Sequence, residues 1–219
     1  MDASEHAAPS ARAGRPTQAD LDCLAGQLGR PCAAKLHLVQ RVAARCQWDL
    51  PAVAEALPYD AAGRPFPTLF YLTCPTAVAA VQLVEAGGGV RRYAALLAAS
   101  RQPATAGPAP GDGAALVASA GAAERYERRR RRALARGPAG ASFARAADGG
   151  ASLSLGVGGV TDRTSLKCLH CHAAHALVRP AYLLGQRMLD DAAAAAGSLW
   201  CDDARCRRFV PPSPSVSDP

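Results

Sequence analysis

Two thiols and three imidazoles stand within nine residues of one another, as Cys168, His170, Cys171, His172 and His175. Only two of the five histidines, His6 and His37, lie elsewhere. Cysteine thiolate and imidazole bind zinc and other borderline-soft metals best, so the segment reads first as a metal site. On a helix over 166–178, Cys168, Cys171, His172 and His175 fall at i, i+3, i+4 and i+7, one stripe, with His170 pointing away. The ends of that stripe are about 10 Å apart at 1.5 Å per residue, so it cannot close on one ion alone.

Further ligands must come from other elements, and Cys46, Cys74, Cys201 and Cys206 are the supply. Cys46 and Cys74 each end a predicted strand, which sets a geometric condition. In a hairpin they would sit about 25 Å apart, whereas a parallel pair joined by a crossover through 47–65 would bring them to one edge. Cys201 and Cys206, with four residues between them, suit a metal-binding turn. Cys23 and Cys32 read as buried small hydrophobes.

Two weaker constellations accompany the cluster. Gly156, Gly158 and Gly159 precede a helix start flanked by Arg163 and Lys167, which suits an anion held by backbone amides. The run matches neither a Walker A motif nor a dinucleotide fingerprint, and a plain glycine loop competes with it. Cys168 with His172 could form a nucleophile pair, but the sequence nominates no oxyanion donor for it.

The elements that must position these residues follow from pattern and punctuation. Residues 1–17 and 210–219 read as disordered tails around one domain over 18–209, with flexible loops at about 102–113 and 137–155. Helices are predicted over 18–28, 51–57, 75–85, 90–100, 114–135, 166–178 and 182–196. Thr164 or Ser165 is the expected cap of the helix that carries the cluster. Alternation over 36–46 and the aromatic run 66–74 predict strands. The class is therefore α+β, mostly helical, with a small two- or three-stranded sheet.

The chain has 219 residues, 49% hydrophobic but only 5% aromatic, and alanine-rich. Small side chains bury little area each, so a bound metal could add to folding. The net charge of +7 is concentrated in Arg128 to Arg132. Glu124 and Glu127 stand at helical spacing from that run, so a solvated helix face is favoured over a nucleic-acid surface. The first twenty residues carry Asp2 and Glu5 and lack a leader's apolar stretch, and no membrane-span pattern follows. With eight cysteines and no leader, reduced thiols or metal ligands in a cytoplasmic protein are expected.

The run from Gln27 to Arg30, Arg45 with Cys46, Leu50 with Pro51, and the stretch Gly63 through Pro75 together resemble the bacterial domain of unknown function 501. So do Gly156 to Gly159, Leu166 to His170 with His175, and the closing Trp200, Cys201 and Cys206. The likeness extends over roughly residues 20 to 208. It implies no activity, but it implies which thiols belong to one pattern: Cys46, Cys74, Cys168 and Cys206. Cys201, His170 and His175 match some members, whereas Cys171 and His172 fall outside the pattern. Trp48 stands where some relatives carry another cysteine.

The resulting expectation is a metal-binding protein with ligands Cys46, Cys74, Cys168 and Cys206, and with His170, His175 and Cys201 as alternates or outer partners. Zinc is the first candidate and an iron–sulfur cluster the second. A metal-dependent enzyme acting on a phosphorylated small molecule is the alternative reading, with Gly158, Gly159, Arg163 and Lys167 as anion-binding residues. A basic nucleic-acid module is the third. Whether the protein is catalytic is left open by the sequence.

Overall fold

A computed structural model describes residues 14–33, 35–101, 113–137, 146–162 and 165–211, apart from the side chains of residues 30–33. Arg163, Thr164, the side chain of Cys32, the outer parts of both expected tails and most of the two expected loops lie outside the described residues. In chain order come α1 (Gln18–Ala33), β1 (Val39–Arg45), β2 (Pro51–Ala56), β3 (Phe70–Leu72), α2 (Pro75–Ala86) and α3 (Gly89–Ala99). There follow α4 (Gly113–Arg136), α5 (Leu169–Val178) and α6 (Leu183–Ala196), with short 3-10 turns between and after them. The architecture is α+β, mostly helical, as expected.

The sheet has the order β1-β2-β3 with both pairs antiparallel, Val42 opposite Ala54 and Val53 opposite Leu72. The helix expected over 51–57 is instead β2, the central strand. All six of its residues are buried. The spacing of Val53 and Leu57 imitates a helical stripe, but a helix there would need a polar outer face, and the segment has none. Pro51 is tolerated because it is the first residue of the strand. The one charged residue, Glu55, is fully buried and bound by Arg41 at 2.5 Å and by Arg130 at 2.6 and 2.8 Å.

The geometric alternatives for Cys46 and Cys74 were a hairpin or a crossover, and the protein uses neither. An intervening strand makes β1 and β3 run the same way, so both finish at the same end of the sheet, with β2 between them. Strand 36–46 is shorter than expected because Leu36–Leu38 forms a 3-10 turn. Only Phe70–Leu72 of the 66–74 run is laddered.

The helices pack over the sheet, and α5 is the innermost. Leu169, Ala173, Ala174 and Ala176 are completely buried, and their small side chains let α5 touch β3, α2 and α6 at once. The helix starts at Leu169, three residues later than expected. Cys168 is the N-cap in extended conformation (φ −152°, ψ 122°), in place of the expected Ser165, while Thr164 lies outside the described residues. On α4 the arginine run is only partly a solvated face. Arg129 and Arg132 are exposed, but Arg130 reaches Glu55 and Arg131 is fully buried. The expected acidic partners are in place, with Arg128 paired to Glu124 at 3.6 Å and Arg131 to Glu127 at 2.7 Å.

Candidate metal centre

The N-terminus of α5 gathers a thiol, an imidazole and a carboxylate. Leu169, fully buried, pins the first residue of the helix against the core. Glu85, in the last turn of α2, reaches across so that Oε1 accepts the Leu169 backbone N–H at 2.5 Å. A carboxylate there satisfies an otherwise unpaired helix amide and sits at the positive end of the helix dipole. The same oxygen lies 3.4 Å from His170 Nδ1.

His170 is oriented from its other side. Its Nε2 donates to the carbonyl of Val78 on α2 at 3.2 Å, which assigns a proton to Nε2 and turns Nδ1 towards Cys168 and Glu85. Nδ1 is 3.6 Å from the Cys168 sulfur. The ligand atoms of Glu85, Cys168 and His170 all lie within 4.8 Å of one another, the one such group of three among the described residues.

The charges favour a thiolate. Cys168 is held down at about 3, first by the Cys171 thiol hydrogen-bonded to it and then by His170 and the Cys171 backbone amide, against the effect of burial. His170 is raised, because the neighbouring Cys168 sulfur and then Glu85 favour its cationic form over the opposing effect of burial. Cys171 is pushed well above the usual thiol range by its bond to Cys168 and by burial. Both shifts favour opposite charges on the Cys168 sulfur and the His170 ring.

Cys168, His170 and Cys171 line a cleft of about 350 Å³ together with Lys167, Gly158 and residues of the Pro67–Leu72 segment. Gly158 and Gly159 have φ of +74° and +77°, a region that favours glycine. A Cβ on Gly159 would stand 2.7 Å from the Cβ of Pro67, so the two walls meet there without room for a side chain. Arg131 holds both walls from beneath, donating to Leu155 O at 2.6 Å and to Pro67 O at 2.8 Å.

Residues 42–190 match the family described as protein of unknown function (DUF501). The chain belongs to the DUF501 family. Glu85, Cys168, His170, Cys46 and Cys74 lie inside the matched span, while Cys23, Cys201 and Cys206 lie beyond it. No curated protein and no solved structure matches this DUF501 chain.

The remaining expected ligands are placed in two further locations. Cys46 and Cys74 follow β1 and β3 at the same end of the sheet; the Cys201 carbonyl is bound by Gln47 and Trp48 next to Cys46, and the Cys206 carbonyl accepts from the Cys23 thiol of α1 at 3.8 Å, but no three of these sulfurs lie within 4.8 Å of one another. Cys168 is not brought to them. Its partner Glu85 stands eleven residues along α2 from Cys74, about 16 Å at 1.5 Å per residue. His175 is buried among the rings of Phe70, Tyr126 and Tyr182, with Nδ1 2.9 Å from Glu127 Oε1. His172 is buried beside Tyr182, its Nδ1 2.5 Å from the hydroxyl, and burial lowers it to about 4. In the DUF501 chain the predicted stripe on α5 thus divides, with its two histidines serving the core. Glu85 was not foreseen. It is a lone acid at the end of an alanine- and valine-rich helix, and no spacing rule links it to a histidine 85 positions on.

Proposed function

We propose that this DUF501 protein binds one divalent metal, zinc in the first place, through Cys168 Sγ, His170 Nδ1 and a Glu85 carboxylate oxygen. The observation that carries the reading is the approach of those three atoms to within 4.8 Å of one another, with Cys168 and His170 lining a cleft. Three protein ligands with the fourth position facing a cleft is the arrangement of zinc sites that bind an exchangeable water or substrate. The Nε2–H bond to Val78 O supports it, since metal-bound histidines donate their second nitrogen to a fixed acceptor. Lys167 at the rim and the glycine-rich wall make a small anion, such as a phosphate ester, the substrate class.

The test is metal content of the purified chain, together with cobalt substitution to report thiolate ligation. Zinc near one equivalent in the cleft, lost from Cys168→Ser and His170→Ala, is expected. Undiminished zinc in both variants would remove the cleft reading.

A second reading rests on a separate observation. The Cys171 thiol is hydrogen-bonded to Cys168 at a helix N-terminus, the placement of a Cys-x-x-Cys dithiol. Such a pair can reduce a small disulfide, passing two electrons and two protons to it and closing a Cys168–Cys171 bond. Incubating the chelator-treated chain with oxidised glutathione separates the readings. A Cys168–Cys171 disulfide found by peptide mapping supports the dithiol, and two free thiols after long incubation dismiss it.

The basic run contributes little to a nucleic-acid surface in this reading. Arg130 and Arg131 are engaged inward with Glu55 and Glu127, which leaves Arg129 and Arg132 as its exposed members. Among the described residues no helix is long and apolar enough to cross a membrane.

A further inference from the structure

The far end of α5 carries a histidine held by an acid. His175 is 1% exposed, and its Nδ1 meets Glu127 Oε1 of α4 at 2.9 Å. The other Glu127 oxygen accepts from Arg131 at 2.7 Å. A carboxylate engaged by a guanidinium only accepts hydrogen bonds, so the proton of the histidine contact belongs to His175 Nδ1. The ring is fixed in that orientation. Phe70, Tyr126 and Tyr182 stand edge-on to it, with centroids at 5.5, 5.8 and 5.2 Å.

Nε2 is the nitrogen left over, and it has no hydrogen-bond partner among the described residues. His175 lines a cavity of about 70 Å³ that shares no lining residue with the cleft. Glu127 does not line it, so the ring edge facing the cavity is the one away from Nδ1. At about 10–15 Å³ for each water-sized probe, there is room for roughly five non-hydrogen atoms.

Arg179 gives the cavity its sign. It is exposed, it makes no ion pair among the described residues, and its guanidinium lies over the Tyr126 ring at 4.9 Å. Behind His175 the Arg131–Glu127 pair carries no net charge, and no acid lines the cavity. Ser119, on the α4 wall, donates its hydroxyl proton to Leu116 O at 2.9 Å and so offers only lone pairs inward. The cavity therefore presents one cation and two hydrogen-bond acceptors.

We infer that it binds a small hydroxy acid, whose anionic group pairs with Arg179 and whose hydroxyl donates to His175 Nε2. Glu127 is the positioning residue. It fixes the tautomer that leaves a lone pair on Nε2, as the acid does in a carboxylate–histidine dyad. The site does not rest on the cleft being a metal centre.

Glycolate is the probe, and acetate, which lacks the hydroxyl, is its control. Each is titrated into the full chain carrying nitrogen-15 histidine, and the ring nitrogens of His175, assigned through their contacts with the Phe70 and Tyr182 rings, are followed by NMR. A saturable shift of Nε2 is expected, with glycolate bound about two- to tenfold more tightly than acetate, the gain from one added hydrogen bond. Arg179→Gln, at an exposed side chain, should weaken glycolate by at least about tenfold, as for the loss of a charged partner. Ala122→Leu, at an exposed helix position that lines the cavity, should block it. Lys167→Ala, in the cleft, should leave glycolate binding unchanged. The wild-type titration needs no variant to fold, and His175 signals that ignore glycolate overturn the site. Equal affinity for glycolate and acetate overturns it too. So does binding that is lost in Lys167→Ala and kept in Arg179→Gln, which would place the acid in the cleft.

Discussion

Arg131 and Glu127 meet at 2.7 Å inside the protein, with neither side chain more than 2% exposed. They are one turn apart on α4, and the second Glu127 oxygen is 2.9 Å from His175 Nδ1 on α5. Arg131 also donates to Leu155 O and Pro67 O. One guanidinium thus links α4, both cleft walls and, through Glu127, the helix that carries the candidate centre.

Removing one member of that pair leaves the other charged and buried. Arg131→Met is expected to cost about 3–5 kcal/mol in urea unfolding. Arg131→Lys should recover little, because a single ammonium cannot span the planar fork of acceptors. The double variant Arg131→Met, Glu127→Leu should be less destabilised than the two single changes added together. Simple additivity would show that the pair does not act as a unit.

Much of this design is visible in the sequence, and the part that is not has a physical reason. Helices α2, α3, α4 and α6 follow from periodicity with proline and glycine punctuation, and the aromatic run marks β3. The 51–57 segment misleads because a strand buried on both faces loses its alternation. The Glu124 and Glu127 spacing correctly pairs the arginines, but i,i+4 geometry is silent about whether the shared face points to water or inward. The chemistry was half legible. Cys168 and His170 stand out, yet their third partner, Glu85, is joined to them only by the packing of α2 on α5. The likeness that grouped Cys46, Cys74, Cys168 and Cys206 conveys which thiols recur together, not which ones touch.

Glu85 has two roles that a single substitution separates. Glu85→Gln keeps an oxygen for the Leu169 N–H but loses the charge. Stability should therefore fall by less than about 1 kcal/mol, the low end of a lost helix cap. Zinc affinity should fall by at least about tenfold, the least that disturbing the surroundings of a metal site usually costs. Competition with a chelating dye reads the affinity, and thermal melts of the metal-free chain read the stability. An unchanged affinity would exclude Glu85 as a ligand.

The link between α1 and the sheet carries an acid dependence. Burial pushes the Asp20 carboxyl up, but hydrogen bonds from Arg45 and Thr17 outweigh it and hold it below 3.8. Arg45 binds both oxygens, at 2.7 and 2.9 Å. A carboxyl depressed in the folded state stabilises it fully above the unfolded value near 3.8, and that stabilisation is lost as pH falls through the folded value. Asp20→Asn should lower stability at pH 7 by about 1.5–3 kcal/mol, the range for hydrogen bonds to a charged group. The gap to the wild-type chain should narrow as the pH falls below 3.8 and through the depressed value of the Asp20 carboxyl. Denaturant melts across that range check it, and a gap that stays constant with pH would rule out the linkage.

Two glycines with similar backbone angles separate conformational strain from steric contact at the cleft wall. Gly149 (φ +60°) has nothing within 4 Å of an added Cβ, whereas Gly159 (φ +77°) would place one 2.7 Å from Pro67 Cβ. Gly149→Ala should therefore cost only the left-handed backbone penalty of about 1–2 kcal/mol. Gly159→Ala adds a collision with a residue whose carbonyl is fixed by Arg131, so the wall cannot retreat without breaking that 2.8 Å bond. The excess destabilisation of Gly159→Ala over Gly149→Ala should be about 1–3 kcal/mol, as for an extra carbon forced into packed surroundings. The rate at which iodoacetamide alkylates Cys168, which lines the cleft with Gly158, should change in Gly159→Ala and stay as in the wild-type chain in Gly149→Ala. Equal destabilisation and equal labelling in the two variants would mean that the wall is not held where the structure places it.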